Sequence, residues 1–478
     1  MAVLEHLEPK NVFAFFEQIC AIPHGSGNTK EISDFLVSFA KERNLTYYQD
    51  ELNNVIIYKP ATAGYENAPT VILQGHMDMV LSVAPGCSKN LDLEGLDLAV
   101  EGDIVYAKGT SLGADNGIGV SMALAILDST TLEHPSLEVA ITVDEETTMA
   151  GASYLDGSRL NGRTLINLDS EAEDTLFVGC AGGNNTTMTI PYTRADYTGT
   201  ALKIEISGLQ GGHSGVEIDL GRGNAYTLLG RLLLAMQKKT DLRIITIGGG
   251  GKGNGIPSCA NAVVAVADEA AARAVCEELN ATYKYELATT DPGVTVTVAE
   301  AAISQPMDDI SSKNIIFLLS CTPNGVLVMS ADMPGLVQTS VNLGVVTCTE
   351  DTVVCNYVPR SSVDSQLEMV VNQLDALATR LGGSIDVCGA YPGWAFRPDS
   401  PLRQKMTEVY VEQFGHEPKV LAVHAGSECG MFVGKLPGLD CLCISPDMTG
   451  LHTYNEKLYI ASTQRIWALV TETLRRLK

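Results

Sequence analysis

Short apolar runs that end in chemistry-bearing polar residues recur along the chain. Val71-Ile72-Leu73 leads through Gln74-Gly75 into His76-Met77-Asp78. A buried strand of this kind delivers the residues after it to the sheet edge, where open α/β sheets bind ligands. Alternation puts His76 and Asp78 on one side of an extended chain. Leu137 to Val143 is a second such strand, running into Asp144-Glu145-Glu146-Thr147-Thr148, and Thr164 to Asp169 is a third, ending in its Asp. A glycine-rich loop, Gly109 to Gly119, carries Asp115 and opens an apolar helix over Val120–Leu127. Amphipathic spacing predicts helices over Asn11–Ile22 and Thr29–Arg43, with strands at Leu45–Tyr48, Val55–Tyr58 and Asp103–Lys108. Four strand ends or loops thus converge His76, Asp115, Glu145-Glu146 and Asp169 on one site.

From about Gly182 the texture changes. Leu202 to Ile206 alternates apolar and polar, as an antiparallel strand with one solvated face does. Helices over Asn224–Met236, Asp268–Tyr285, Asp308–Leu319 and Asp364–Leu381 then interleave with strands, which reads as two successive α+β units. The loop Gly208-Leu209-Gln210-Gly211-Gly212-His213-Ser214-Gly215 lies at their start. After Pro392-Gly393-Trp394 the α/β texture returns, with helix Pro401–Phe414, strands Val420–Val423 and Asp440–Ile444, and helix Ser462–Leu477. The chain therefore divides into a first segment 1–183, an insertion 184–396 and a closing segment 397–478. The closing segment contributes His424, Glu428 and His452.

Composition narrows the possibilities. With 57 acidic against 32 basic side chains, the net charge of −25 lacks the basic footprint that nucleic acid or an anionic membrane requires. No apolar stretch approaches the ~20 residues of a membrane span. Residues Met1 to Lys10 carry Glu5 and Glu8 and show no basic-then-apolar pattern, so no secretory signal is expected there. The 12 Cys are scattered with no Cys-x-x-Cys pair, which fits a reducing cytoplasm.

Two His with several carboxylates and no clustered Cys make a donor set suited to Zn²⁺, Mn²⁺ or Co²⁺. A carboxylate shared between two ions ~3.5–4 Å apart is the arrangement of two-metal hydrolases. A further carboxylate that binds no metal accepts the proton of water and returns it to the leaving amine. Adjacent Glu145 and Glu146 suit this division, and spacing does not say which does which. The glycines around Asp115 lack the Gly-Lys-Ser/Thr ending of a P-loop and the Gly triplet of a dinucleotide fold. Asp115 as a plain helix cap is the competing reading.

Taken in order, His76-Met77-Asp78, Gly113-Ala114-Asp115-Asn116-Gly117, Asp144-Glu145-Glu146, Asp169, Gly211-Gly212-His213-Ser214-Gly215 and Leu451-His452-Thr453 resemble the M20 family of di-zinc peptidases and deacylases. His424-Ala425-Gly426-Ser427-Glu428-Cys429-Gly430, with the long insertion, resembles its aminoacyl-histidine dipeptidase branch. The resemblance implies an α/β, zinc-exopeptidase-like catalytic domain, with a mostly parallel mixed sheet flanked by helices. The insertion becomes an α+β lid domain of two ferredoxin-like units. It implies two divalent metal ions, Zn²⁺ first and Co²⁺ or Mn²⁺ as substitutes, with His76 and Asp169 on one, Glu146 and His452 on the other, and Asp115 bridging. Glu145 becomes the general base, and Asp78 orients His76. A cis peptide is implied at Asp115–Asn116.

His213 matches a lid residue that donates to the oxyanion. Arg360, in Tyr357-Val358-Pro359-Arg360-Ser361-Ser362, matches one that holds the substrate carboxylate. Glu428 is placed to meet a substrate ammonium, while His424 is as readily structural. The implied activity is metal-dependent hydrolysis of small peptides, namely dipeptides with a free amino terminus of the β-alanyl-histidine type, by a cytoplasmic homodimer. An M20-type tripeptidase or N-acyl-amino-acid deacylase shares the same chemistry. A non-catalytic binding protein would have lost a ligand or the base, and here all six positions are filled.

Overall fold

Val71–His76 is a strand with every residue buried. It lies parallel to Leu137–Thr142 on one side and to Thr164–Asn167 on the other, with His76 opposite Thr142 and Gln74 opposite Asn167. In the computed structural model, which describes residues 3–478, these strands are the middle of an eight-stranded sheet. Its order is Thr46–Gln49, Val55–Lys59, Leu137–Thr142, Val71–His76, Thr164–Asn167, Asp440–Cys443, Thr175–Cys180 and Lys419–Val423. The centre is parallel, Asp440–Cys443 included, and the strands toward Thr46–Gln49 are antiparallel. Fully apolar strands suit such a centre because both faces are covered. Helix Ala114–Asp128, buried along nearly its whole length, packs on Val71–His76, and helix Lys10–Cys20 packs on it in turn.

The chain forms two compact units. One comprises the chain up to Gly179 together with Trp394–Ala422 and Ser427–Lys478. The other is Cys180–Gly393 with Val423–Gly426, so His424 groups with the second unit and Glu428 with the first.

The second unit is built on a nine-stranded sheet. Strands Thr200–Ser207, Leu242–Gly249, Ala260–Val266 and Thr295–Glu300, with helices Ala225–Gln237 and Glu269–Glu286, form one βαββαβ motif. Strands Gly182–Pro191, Val337–Cys348, Thr352–Ser361 and Ser384–Tyr391, with helices Asp309–Cys321 and Asp364–Arg380, form another. The two motifs are nested, which corrects the expectation of successive units: the second motif's first strand, Gly182–Pro191, precedes the whole of the first motif. It pairs with Thr352–Ser361 on one side and Ser384–Tyr391 on the other. The strand was hidden because Gly182-Gly183-Asn184-Asn185-Thr186-Thr187 carries no apolar alternation, and tertiary pairing overrides weak local preference. One apolar core, to which Leu202, Ile204, Leu229, Ile316, Leu343 and Leu374 all belong, runs through both motifs.

A small four-stranded sheet completes the first unit: Met448–Thr449, Lys457–Tyr459, Ile104–Ala107 and Leu98–Glu101. Only Ile104–Ala107 falls within the predicted strands. The hairpin between Met448–Thr449 and Lys457–Tyr459 carries His452.

Candidate metal centre

Two parallel strand ends (His76 and Asp169), the start of helix Ala114–Asp128 (Asp115), the turn Glu145–Thr148 (Glu146) and the hairpin after Met448–Thr449 (His452) bring five candidate ligands together. His76 is 1% exposed, and its Nδ1 lies 3.0 Å from the backbone carbonyl of Asp78, to which it donates. That hydrogen bond leaves the Nε2 lone pair for a ligand. Nε2 lies 3.2 Å from Asp115 Oδ1 and 3.4 Å from Asp169 Oδ1. On the other side, His452 Nε2 lies 3.4 Å from Asp115 Oδ2 and 3.0 Å from Glu146 Oε2. Asp115 therefore turns one carboxylate oxygen toward each imidazole. His76, Asp115 and Glu146 can each offer an atom to a common centre, all within 4.8 Å of one another.

Local backbone explains why these side chains meet. Asp115 and Asn116 depart from helical geometry just inside helix Ala114–Asp128, and their peptide bond is cis. The helix therefore starts earlier than its apolar run and is broken at the residue that carries the carboxylate. Glu145 and Glu146 open a single turn of helix, Glu145–Thr148, where a loop was expected. Its first two N–H groups donate to Asp78, at 3.1 Å to Oδ1 and 3.4 Å to Oδ2. Ser26 Oγ donates to Asp78 Oδ2 at 2.8 Å. The Asp78 carboxylate itself stands 3.5 Å from His76 Nδ1, so it orders the two glutamates at least as directly as the imidazole. His452 sits at φ 60°, a backbone region that only a tightly built loop imposes on a residue other than glycine.

Electrostatics sharpen the picture. Burial opposes charge on Asp115, yet hydrogen bonds from His452 and His76 hold its carboxyl well below the usual range. Asp115 and Glu146 raise His452 to about 10. Burial lifts Glu145 to about 9, with Asp169, Glu428 and Glu146 adding repulsion against the attraction of His76. Burial raises Asp169 to about 6, with His76 pulling the other way.

The residues fit a pair of divalent cations. Two imidazoles and three ligand carboxylates face one another, and Glu146 Oε1 is buried without a hydrogen-bond partner among the described residues. So many acidic groups in one low-dielectric space call for compensating positive charge.

Beneath these ligands runs a polar layer that sequence reading missed. Gln74 and Asn167 precede His76 and Asp169 by two residues, hence one pleat down on the same face. Asn167 donates to Gln74, Gln74 Nε2 donates to Glu428 Oε2 at 2.6 Å, and Thr142 Oγ1 donates to the same oxygen at 2.7 Å. Glu428 is 1% exposed, its Oε1 has no hydrogen-bond partner among the described residues, and burial raises it to about 7. Period-two spacing from His76 and Asp169 was the available signal for Gln74 and Asn167.

The remaining candidates belong to the second unit. His213 is half-buried, and its Nδ1 accepts from the N–H groups of Gly215 and Val216 at 3.1 and 3.2 Å. The neutral ring therefore carries its proton on Nε2. Burial and the charge of Arg360 lower its pKa. Arg360 is 6% exposed; its Nη1 donates to Tyr391 Oη at 2.8 Å, and its Nε has no partner among the described residues. His424 Nε2 lies 2.7 Å from Ser340 Oγ, and burial beside Arg360 lowers it to about 4.

A mixed, centrally parallel sheet with a two-imidazole, multi-carboxylate cluster at its strand ends defines a metal-dependent hydrolase. The family model for peptidase family M20/M25/M40 matches residues 72–476, and the chain belongs to that family. It is thus a metallopeptidase. It is 38% identical over 484 residues to the cytosol non-specific dipeptidase of Escherichia coli K12, covering 100% of this chain and 99% of that protein. The structure matches that of aminoacylhistidine dipeptidase from Vibrio alginolyticus with a TM-score of 0.95 and 35% identity, over 99% of this chain and 98% of the other. Aminopeptidase PepT from Bacillus cereus shares the fold at a TM-score of 0.56 and 17% identity, over 98% and 99% of the two chains.

Proposed function

We propose that the protein hydrolyses dipeptides with a free amino terminus, of the aminoacyl-histidine type, using two divalent cations, with Zn²⁺ as the native metal. The observation that carries this reading is the division of the Asp115 carboxylate between His76 and His452. His76, Asp115 and Asp169 would hold one cation, and Asp115, Glu146 and His452 the other. When bound, such a pair polarises the scissile carbonyl and acidifies a water molecule. Glu145, beside the ligands but outside their set, is the carboxylate placed to accept a proton from water and to deliver it to the leaving amine. Asp78 keeps Glu145 and Glu146 in register through their N–H groups. His213 presents its Nε2–H to the developing oxyanion. Arg360 receives the substrate carboxylate, whereas Glu428, expected to meet the ammonium, is buried beneath the ligands with its Oε2 taken by Gln74 and Thr142 and supports them from below. The names of the two full-length relatives support the substrate class, and the word "cytosol" in one of them supports a cytoplasmic enzyme. The working form in this reading is a homodimer.

The test is a panel of dipeptides with free and acetylated amino termini, β-alanyl-histidine and tripeptides included, assayed before and after chelation and Zn²⁺ or Co²⁺ restoration. Cleavage confined to free dipeptides is expected, with light scattering giving twice the chain mass. Glu145→Gln should keep its metal and lose about 10²–10⁴-fold in kcat. Full activity in that variant removes Glu145 from the mechanism.

A further inference from the structure

Glu456 is a buried carboxylate, 3% exposed, that belongs to neither the ligands nor the base. Its Oε2 accepts from the backbone N–H groups of Leu112 and Gly113 at 2.8 and 3.0 Å. Its Oε1 accepts from those of Ala114 and Asp115 at 2.8 and 3.4 Å. Two of these donors, Ala114 and Asp115, belong to the helix start, which leaves them unsatisfied, and the other two come from the turn that leads into it; an anion is the group best suited to such a cluster. One side chain thus holds the entire approach to Asp115, including the turn at Gly113, whose φ of 66° needs glycine.

The same residue ends the hairpin loop that carries His452. That loop is locked from within: Thr453 Oγ1 donates to the Gly450 carbonyl at 2.6 Å, and the Asn455 N–H donates to Thr453 Oγ1 at 3.1 Å. The Glu456 N–H donates to the Thr453 carbonyl at 3.2 Å. Gly450 has φ 69°, and a Cβ there would stand 2.6 Å from the Asn455 carbonyl oxygen, so the turn has no slack. His452 and Glu456 thus share one tightly turned loop, and Glu456 is fastened to the backbone of Asp115.

We propose that Glu456 is a positioning residue that fixes the span between His452 and Asp115, and so sets the affinity of the cation held by Asp115, Glu146 and His452. The proposal rests on the two-cation reading above. His76 and Asp169 reach Asp115 from separate strands, so the first cation depends less on Glu456. A glutamine at 456 would turn an N–H₂ group toward two backbone N–H groups, which repels rather than fastens.

The experiment titrates metal-free native protein, Glu456→Gln and Glu456→Asp with Co²⁺, reading each site by visible absorption and the fold by circular dichroism and Tm. Two equivalents are expected in the native protein. In Glu456→Gln one equivalent should bind as before, while the other weakens by roughly 10–100-fold, the range for groups that orient a metal ligand. Glu456→Asp, shorter by a methylene but equally charged, should show the same selective loss at smaller size; it also serves if the glutamine variant does not fold. Two sites of native affinity in a folded variant, or equal weakening of both, overturns the proposal. A native protein that binds fewer than two equivalents overturns the two-cation reading instead.

Discussion

The strand-end cluster of the first unit and the polar groups of the second are opposite electrostatic designs. In the first, carboxylates crowd one another until burial and repulsion lift Glu145 to about 9 and Asp169 to about 6. In the second, burial and then the charge of Arg360 lower His213 and His424, and the Nε of Arg360 lacks a partner among the described residues. The former seeks positive charge and the latter negative charge. Each region is also built for its sign: parallel strand ends gather side chains from distant segments, whereas antiparallel strands of the second sheet place Ser340 directly opposite Arg360.

The strongest way to break the contrast is to remove its hub. Asp115→Ala should lower kcat by on the order of 10³-fold or more, since both cations lose a ligand and several kcal/mol of charge stabilisation goes with them. Elemental analysis after dialysis should show metal lost from both sites. Metal retained in full would mean that Asp115 does not bridge. On the opposite side, Arg360→Lys keeps the charge but removes the planar fork, so KM should rise roughly tenfold or more with metal content unchanged.

A subtler effect sharpens the comparison through pH. Protons compete with cations for His452, whose pKa is raised to about 10 by Asp115 and Glu146. Metal affinity should therefore fall as pH falls, by roughly tenfold per unit for each proton displaced. His424, lowered to about 4 by burial and Arg360, stays neutral throughout that range. Titrating metal affinity and KM between pH 6 and pH 9, as a ~3-unit window around neutrality, should therefore move the first far more than the second.

Much of this was legible in the chain because apolar strands followed by His, Asp or Glu state both the element and the chemistry. Val71–His76, Asp169 and Glu145-Glu146 follow directly from that grammar, whereas the place of His452 came only from the resemblance to the family. Gly182–Pro191 lies outside that grammar: its pairing comes from strands far along the chain, and glycines and asparagines carry no period-two signal. Glu456 was equally silent, since a single Glu before a short strand looks like any solvated charge. Its meaning lies in four backbone donors more than 300 residues away in sequence, between Leu112 and Asp115. Asp78 was read as a partner of His76, and only the fold reveals its hold on the N–H groups of Glu145 and Glu146.

The place of Asp440–Cys443 in the first sheet has a consequence for biosynthesis. This strand lies between Thr164–Asn167 and Thr175–Cys180, both made long before it. A ribosome-bound chain that has not reached Asp440 has a gap in the middle of its sheet, and His452 follows later still. Strand pairings of such sequence separation form late, because loop closure must precede their reward. The candidate metal centre is thereby incomplete until nearly the whole polypeptide has emerged, since a chain that ends before His452 lacks one of its proposed ligands.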